Sequence, residues 1–164
     1  MADLILVLPV PVDPSSASES SQDLRKAIRT AMKLKLESDV KLTALMGGKP
    51  LVVTRPTRQF IRLPAITSFD YGTKADDIVP LFDRNYQIDV WTRADFDLAE
   101  DIAHRVAGLL DHQPLALPGG EGQVAFLQLQ QDRDDTQEDT DISRKTLMFK
   151  CLCYEFNGPP PFGE

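Results

Sequence analysis

The densest run of chemically capable side chains is Asp132-Arg-Asp-Asp-Thr-Gln-Glu-Asp-Thr-Asp141, where Asp132, Asp134, Asp135, Glu138, Asp139 and Asp141 share a single base, Arg133. Carboxylates packed this closely repel one another unless water or a cation intervenes. A calcium loop would carry a glycine at its sharp turn and a distal glutamate in the D-x-D-x-D-G pattern, and this stretch has neither. The spacing predicts a solvated hairpin loop held extended by its own repulsion. It also suits a surface that must stand near DNA without gripping it, since acids placed where phosphates pass suppress binding. Cys151 and Cys153 are separated by one residue, so on a strand they share a face without the geometry to bridge. They are expected to be reduced packing side chains. A zinc site would need C-x-x-C pairs or neighbouring histidines, whereas His104 and His112 lie far off in sequence.

Nothing else supplies a reactive constellation. There is no G-x-S-x-G elbow, and Gly47-Gly48 lacks the following Lys-Ser or Lys-Thr of a phosphate-binding loop. His104 follows Ala103 on an expected helix and reads as a boundary or exposed residue. His112 falls at that helix's C-terminus, where the dipole favours the protonated ring without any reaction being involved. The acid pairs Asp76-Asp77 and Glu100-Asp101 are adjacent and so diverge. The expectation is a protein that is not an enzyme, with no cofactor and no metal.

Composition narrows the class further. The chain has 164 residues, 42% hydrophobic and 26% charged, and its 25 acids against 18 bases give a net charge of −7. Such an acidic chain lacks the footprint of a tight nucleic-acid binder. One domain of this length buries roughly 70% of its unfolded surface and needs no disulfide or metal staple. The start, Met1-Ala-Asp-Leu-Ile-Leu-Val-Leu-Pro-Val-Pro-Val12, has an acid where an export signal needs positive charge. No apolar run approaches the roughly 20 residues that span a bilayer, so no membrane role and a soluble, reducing compartment are expected.

The elements that must position these residues follow from periodicity. Leu4 to Val12 reads as an apolar arm, either an edge strand of this domain or a strand added to another subunit or partner. Asp13 to Ser21 is Ser-rich and reads as a flexible connector. Ser20-x-x-Asp23 resembles a capping box, and Leu24, Ala27, Ile28 and Ala31 recur at helical spacing. Arg25, Lys26, Arg29, Lys33 and Lys35 make the other surfaces of that helix basic, a solvated or docking face. Asp39 to Met46 continues apolar until Gly47-Gly48 ends helical structure through a left-handed cap. Leu51 to Val53, Phe60 to Leu63 and Ala65 to Thr67 are β-type, with prolines that suit edges. Residues 70 to 85 read as an exposed loop. Tyr86 to Trp91 alternates, with Tyr86, Ile88 and Val90 facing inward and Gln87 and Asp89 facing outward.

Thr92-x-x-Asp95 has capping-box spacing ahead of a second helix striped by Ala99, Ile102, Ala103, Val106 and Leu110, which stops near Asp111. Leu115 to Gly120 reads as a turn. Val124 to Gln130 and Lys145 to Glu155 read as a hairpin, and Gly158 to Gly163 as a polyproline-like tail. The fold class is α+β: a mostly antiparallel β-sheet with two helices packed on one face, in strand-helix-hairpin order, as a single domain. The expected divisions are 1–21 (arm and connector), 22–156 (the α+β domain) and 157–164 (the tail).

Taken in order, several segments resemble a known family. Leu24-Arg-Lys-Ala-Ile28 followed by Ser38-Asp-Val-Lys-Leu-Thr-Ala-Leu-Met-Gly-Gly-Lys49 resembles its first helix and a D-x-x-L-x-x-L-x-G-G ending. Leu63-Pro-Ala-Ile66 resembles its Pro-led strand, and Gln87-Ile-Asp-Val-Trp91 with Asp95 to Leu110 its central strand-helix unit. Leu127-Gln-Leu-Gln130, an acidic loop and Lys145-Thr-Leu-Met-Phe-Lys150 resemble its closing hairpin. The family is that of the tail terminator (tail-completion) proteins of long-tailed bacteriophages and gene-transfer particles. The resemblance covers roughly residues 22 to 156.

The resemblance implies a structural protein of the virion, assembled in the host cytoplasm. It implies a homohexameric ring that caps the tail tube, stops its polymerisation and joins the tail to the head, with a channel for DNA. The partners implied are further copies of the chain, the tail tube protein, a head-tail connector or stopper protein, and DNA passing without sequence-specific contact. On this reading Leu4, Ile5, Leu6, Val7 and Leu8 are candidate partner contacts. So are the six acids of 132–141, facing the lumen or the tail tube, and the stretch at 70–85. Competing readings are another head-tail connector or minor tail ring protein, and a small cytosolic enzyme or ligand-binding domain built around an apolar pocket.

Overall fold

The computed structural model describes residues 14–50, 52–53, 62–75, 81–118, 124–137 and 141–154. The first helical pattern forms α1, Pro14–Glu37, which buries Ile28, Ala31, Met32 and Leu36 along one stripe. Its start corrects the sequence reading: the stretch expected as a connector is helical, and the helix begins at Pro14, ahead of Ser20. The reason is local. Proline is pre-organised for a first helical position where no N–H is needed, and serine costs only about 0.5 kcal/mol per helical residue relative to alanine. Propagation from the packed half of the helix offsets that cost.

A break at Ser38 separates α1 from α2, Val40–Leu45, so the expected first helix is two and the described residues form three helices. Asp39 caps α2, its carboxylate accepting the Leu42 N–H at 2.7 Å. The helix ends as expected, with Gly47 at φ +66° in the left-handed region that favours glycine. The third helix, α3, spans Phe96–Leu110 and buries all five residues of its expected stripe. Its cap is Asp95, which accepts the Leu98 N–H at 2.9 Å, and not Thr92, whose hydroxyl donates to the Asp95 carbonyl at 2.6 Å.

Among the described residues six strands form one sheet: β1 (Val52–Val53), β2 (Ala65–Ala75), β3 (Leu81–Arg93), β4 (Pro114–Ala116), β5 (Val124–Asp134) and β6 (Ile142–Tyr154), in the order β1-β2-β3-β6-β5-β4. All neighbours are antiparallel except β1 and β2. The expected loop at 70–85 is therefore corrected: 70–75 and 81–85 extend β2 and β3, and only 76–80 lie outside the described residues. A ladder with β6, from Leu81 opposite Tyr154 onward, supplies hydrogen bonds that no local hydrophobic pattern announces. Gly72 sits at the register shift between Tyr71 and Thr73, so the glycine that suggested a turn marks a bulge. The expected turn at Leu115 is edge strand β4, and Arg62 and Leu63, expected as strand, are bends before β2.

All three helices contribute to one core. Buried side chains of α1, α2 and α3 cluster with Ile66, Tyr86, Ile88, Val90, Leu127, Leu147, Phe149 and Cys151, which share one face of the sheet. Each such side chain contributes roughly 1.5–3 kcal/mol on leaving water. Cys151 is buried there as the packing residue expected. Asp111, at the end of α3, accepts the Leu129 N–H at 2.8 Å and ties the helix to β5. That bond, more than the neighbouring histidine, holds its carboxyl below the usual aspartate range.

Candidate interaction surfaces

The acidic run is not one loop. An extra residue, Gln130, separates the pairs Leu129–Phe149 and Gln131–Met148, and this bulge resets the alternation of β5. Asp132 and Asp134 consequently stand opposite Leu147 and Lys145 on the helix-covered face. Lys145 Nζ lies 3.2 Å from Asp132 and 4.0 Å from Glu100 of α3, and over the Phe96 ring at 5.7 Å from its centroid. The expectation of a run answering only to Arg133 is thereby corrected. Asp134 accepts the Thr136 N–H at 2.9 Å, and its bonds to Thr136, side chain and backbone, hold its carboxyl below the usual range. Asp141 is exposed, and its carbonyl accepts the Ala94 N–H at 2.8 Å. Glu138 and Asp139 lie outside the described residues, as do Leu4, Ile5, Leu6, Val7 and Leu8.

Asp135 turns to the opposite face of the sheet, where sequence reasoning placed no site. There Asp89, expected to face outward to solvent, is 1% exposed. Arg144 Nη2 donates to its Oδ2 at 2.9 Å and Gln87 Nε2 to its Oδ1 at 3.0 Å. The Thr146 hydroxyl lies 2.7 Å from Asp89 Oδ1 and 2.6 Å from Asp135 Oδ2, and its one proton serves one carboxylate at a time. Burial pushes the Asp135 carboxyl up, but the Thr146 hydroxyl and the Arg133 guanidinium outweigh it, leaving the group below its usual range. Arg144 stacks over Trp91 at 4.7 Å, and Trp91 Nε1 donates to the Thr67 hydroxyl at 2.9 Å. Charge and aromatic side chains thus cover a sheet face on which, among the described residues, no helix packs. No sequence signal marked this site: Asp89 follows the outward-polar alternation of β3, and only Arg144, Thr146 and Gln87 around it account for its burial.

A third surface lies at the other edge of the sheet. Lys26, Arg29, Thr30 and Lys33 of α1, Val52 and Val53 of β1 and Ser68 of β2 line one groove. Arg29 leans on Asp70 at 3.5 Å and Lys33 on Glu37 at 3.8 Å.

The family model described as Tail completion protein gp17 matches residues 27–154, which hold the C-terminal part of α1, α2, α3 and the sheet. The chain belongs to the tail completion protein gp17 family. It is accordingly a structural tail protein of the bacteriophage type whose place is in the virion. A chain from a solved structure titled "Virion of native gene transfer agent (GTA) particle" shares its fold, with a TM-score of 0.61 at 21% identity over 79% of this chain and 96% of that one. No curated protein matches.

In this tail completion protein the histidines take no part in a cluster. His104 is exposed on α3, as expected, and His112 Nδ1 lies 2.9 Å from Asp111 at the helix end. Among the described residues no three His, Cys, Asp or Glu side chains are grouped to hold a metal ion, and no helix is long and apolar enough to cross a membrane.

Proposed function

We propose that this chain is the terminator of its tail: a ring-forming subunit that caps the finished tube, ends its polymerisation and presents the surface to which the head is joined. The observation that carries this reading is the family match over 27–154. The likeness of the fold to a chain of a gene transfer agent virion supports it. A terminator must bind the last ring of the tube better than another tube subunit does, while offering no equivalent surface for further growth. Shape and edge chemistry do this without any bond being made or broken, so the chain acts without catalysis. Among the described residues the two edge strands have two and three residues, and short edges of this kind discourage indefinite strand addition. The net charge of −7 suits a channel that DNA crosses without sticking, because every phosphate contact left out removes a salt-sensitive attraction. The arm at Leu4 to Leu8 and the acids of 132–141 are the contact segments of this assembly, with the tube, the connector or stopper, and further copies of the chain as partners.

Native mass spectrometry of the protein, alone and mixed with isolated tail tubes, followed by negative-stain imaging of tube ends, tests the reading. A hexamer, or density capping one end of the tube, is the expected result. A strict monomer or dimer that never marks a tube end overturns it.

A further inference from the structure

The sheet register sets the basic groove and the acidic hairpin on one line. Val52 of β1 is opposite Ile66, Ile66 opposite Val90, Val90 opposite Lys145, and Lys145 opposite Asp134. The groove at β1 and the acidic end of β5 therefore lie at the same level along the strands, four strand spacings or about 19 Å apart along the sheet. They bear opposite charge. Among the described residues the groove is lined by Lys26, Arg29 and Lys33 with no acid in the lining, over a floor of Val52 and Val53, and Asp70 and Glu37 beside it pair with Arg29 and Lys33. Lys26 and Lys33 are exposed. At the other side the run 132–141 holds six acids and one arginine. Arg133 is already spent on Asp135 and Lys145 on Asp132, so Asp134 and Asp141 stay exposed without an ion pair among the described residues.

Two different, complementary patches at one level on opposite sides of a subunit are what a head-to-tail contact around a closed ring requires. We propose that the basic groove of α1 and β1 receives the acidic β5–β6 tip of a second copy of this chain, and that this contact is the subunit interface of the ring. The apolar floor gives the tip a surface to lie against, while the lysines select its register and orientation. The inference rests on the ring-forming reading above and names the partner of its acidic segment.

Charge reversal in both patches tests it, each variant being checked for native folding by circular dichroism. Lys26→Glu with Lys33→Glu reverses the groove, and Glu138→Lys with Asp139→Lys and Asp141→Lys reverses the tip. Oligomeric state is read by native mass spectrometry, alone and at tube ends. Each reversal alone is expected to weaken ring assembly about tenfold or more. Mixing the two variants, or combining all five substitutions in one chain, is expected to restore rings, since each patch again meets its opposite. In the mixture the two variants would alternate. If the wild-type chain forms rings and both reversals leave them intact, or if neither mixing nor combination restores them, this interface is overturned while the ring reading stands. Loss of duplex DNA retention in the groove variant, with rings unaffected, would assign the groove to a polyanion and also overturn it. A wild-type chain that never forms a closed oligomer overturns both.

Discussion

At the scale of single residues, Asp39 joins two parts of the molecule. Its carboxylate caps α2 and also receives the guanidinium of Arg105 from α3, with Arg105 Nε donating at 2.9 Å. The Arg105 bond above all holds the Asp39 carboxyl below its usual range, against the opposing effect of burial and with help from the Leu42 N–H. A carboxyl depressed on folding adds stability that is complete above the ordinary aspartate value of 3.8 and is lost as pH falls below it through the folded value. Asp39→Ala is expected to lower unfolding free energy by about 1–2 kcal/mol in urea titrations at neutral pH. Asp39→Asn keeps a capping oxygen but not the charge, so it should lose less at neutral pH and show a flatter fall in stability below pH 3.8. An Asn variant with an unchanged acid limb would remove Asp39 from that account.

At the scale of elements, two glycines make opposite predictions. Gly47 holds φ +66° at the end of α2, where a side chain is strained. Gly108 lies inside α3, and an added Cβ there meets nothing within 4 Å. Gly47→Ala is expected to destabilise by about 1 kcal/mol and Gly108→Ala to stabilise by about 0.5–1 kcal/mol, both read from thermal or urea unfolding. The helical stripes and the glycine stop were legible in sequence because both lie within the element, whereas the starts were not: α1 begins at Pro14 ahead of Ser20, and Asp95 rather than Thr92 caps α3. The polar halves of β2 and β3 were not legible either. Asp70, Gly72, Lys74 and Asp83 carry the marks of a loop, and only their partners on neighbouring strands make them sheet. Strand β4 was misread in the same way, because its ladder with Ala125 and Phe126 lies across a long connection.

At the scale of the whole molecule, charge governs what the protein meets. A chain with net charge −7 is expected to leave duplex DNA unshifted in a gel mobility assay at physiological salt. A robust, salt-sensitive shift would contradict a channel that DNA crosses without sticking. The acids of 132–141 were visible in sequence as a feature needing explanation, yet their division was not. Gln130 decides it, sending Asp132 and Asp134 toward the helices and Asp135 to the other face beside Thr146. A bulge of this kind leaves no mark in a polar run, since either alternation reads equally well.

What the sequence determined by itself is what short-range chemistry determines: the helical stripes, the Gly47-Gly48 stop, the inward set of Tyr86, Ile88 and Val90, the closing hairpin, the acidic balance and the order of motifs that marked the family. What only the tertiary structure decided is which polar residues meet. Asp89 is buried because Arg144, Thr146 and Gln87 surround it, and the basic groove shares a level with the acidic tip because four strand pairings align them. A helix closes its hydrogen bonds with residues four positions away, so its signals are local. A sheet closes them between residues far apart in the chain, and the sequence carries no record of that register until the strands are paired.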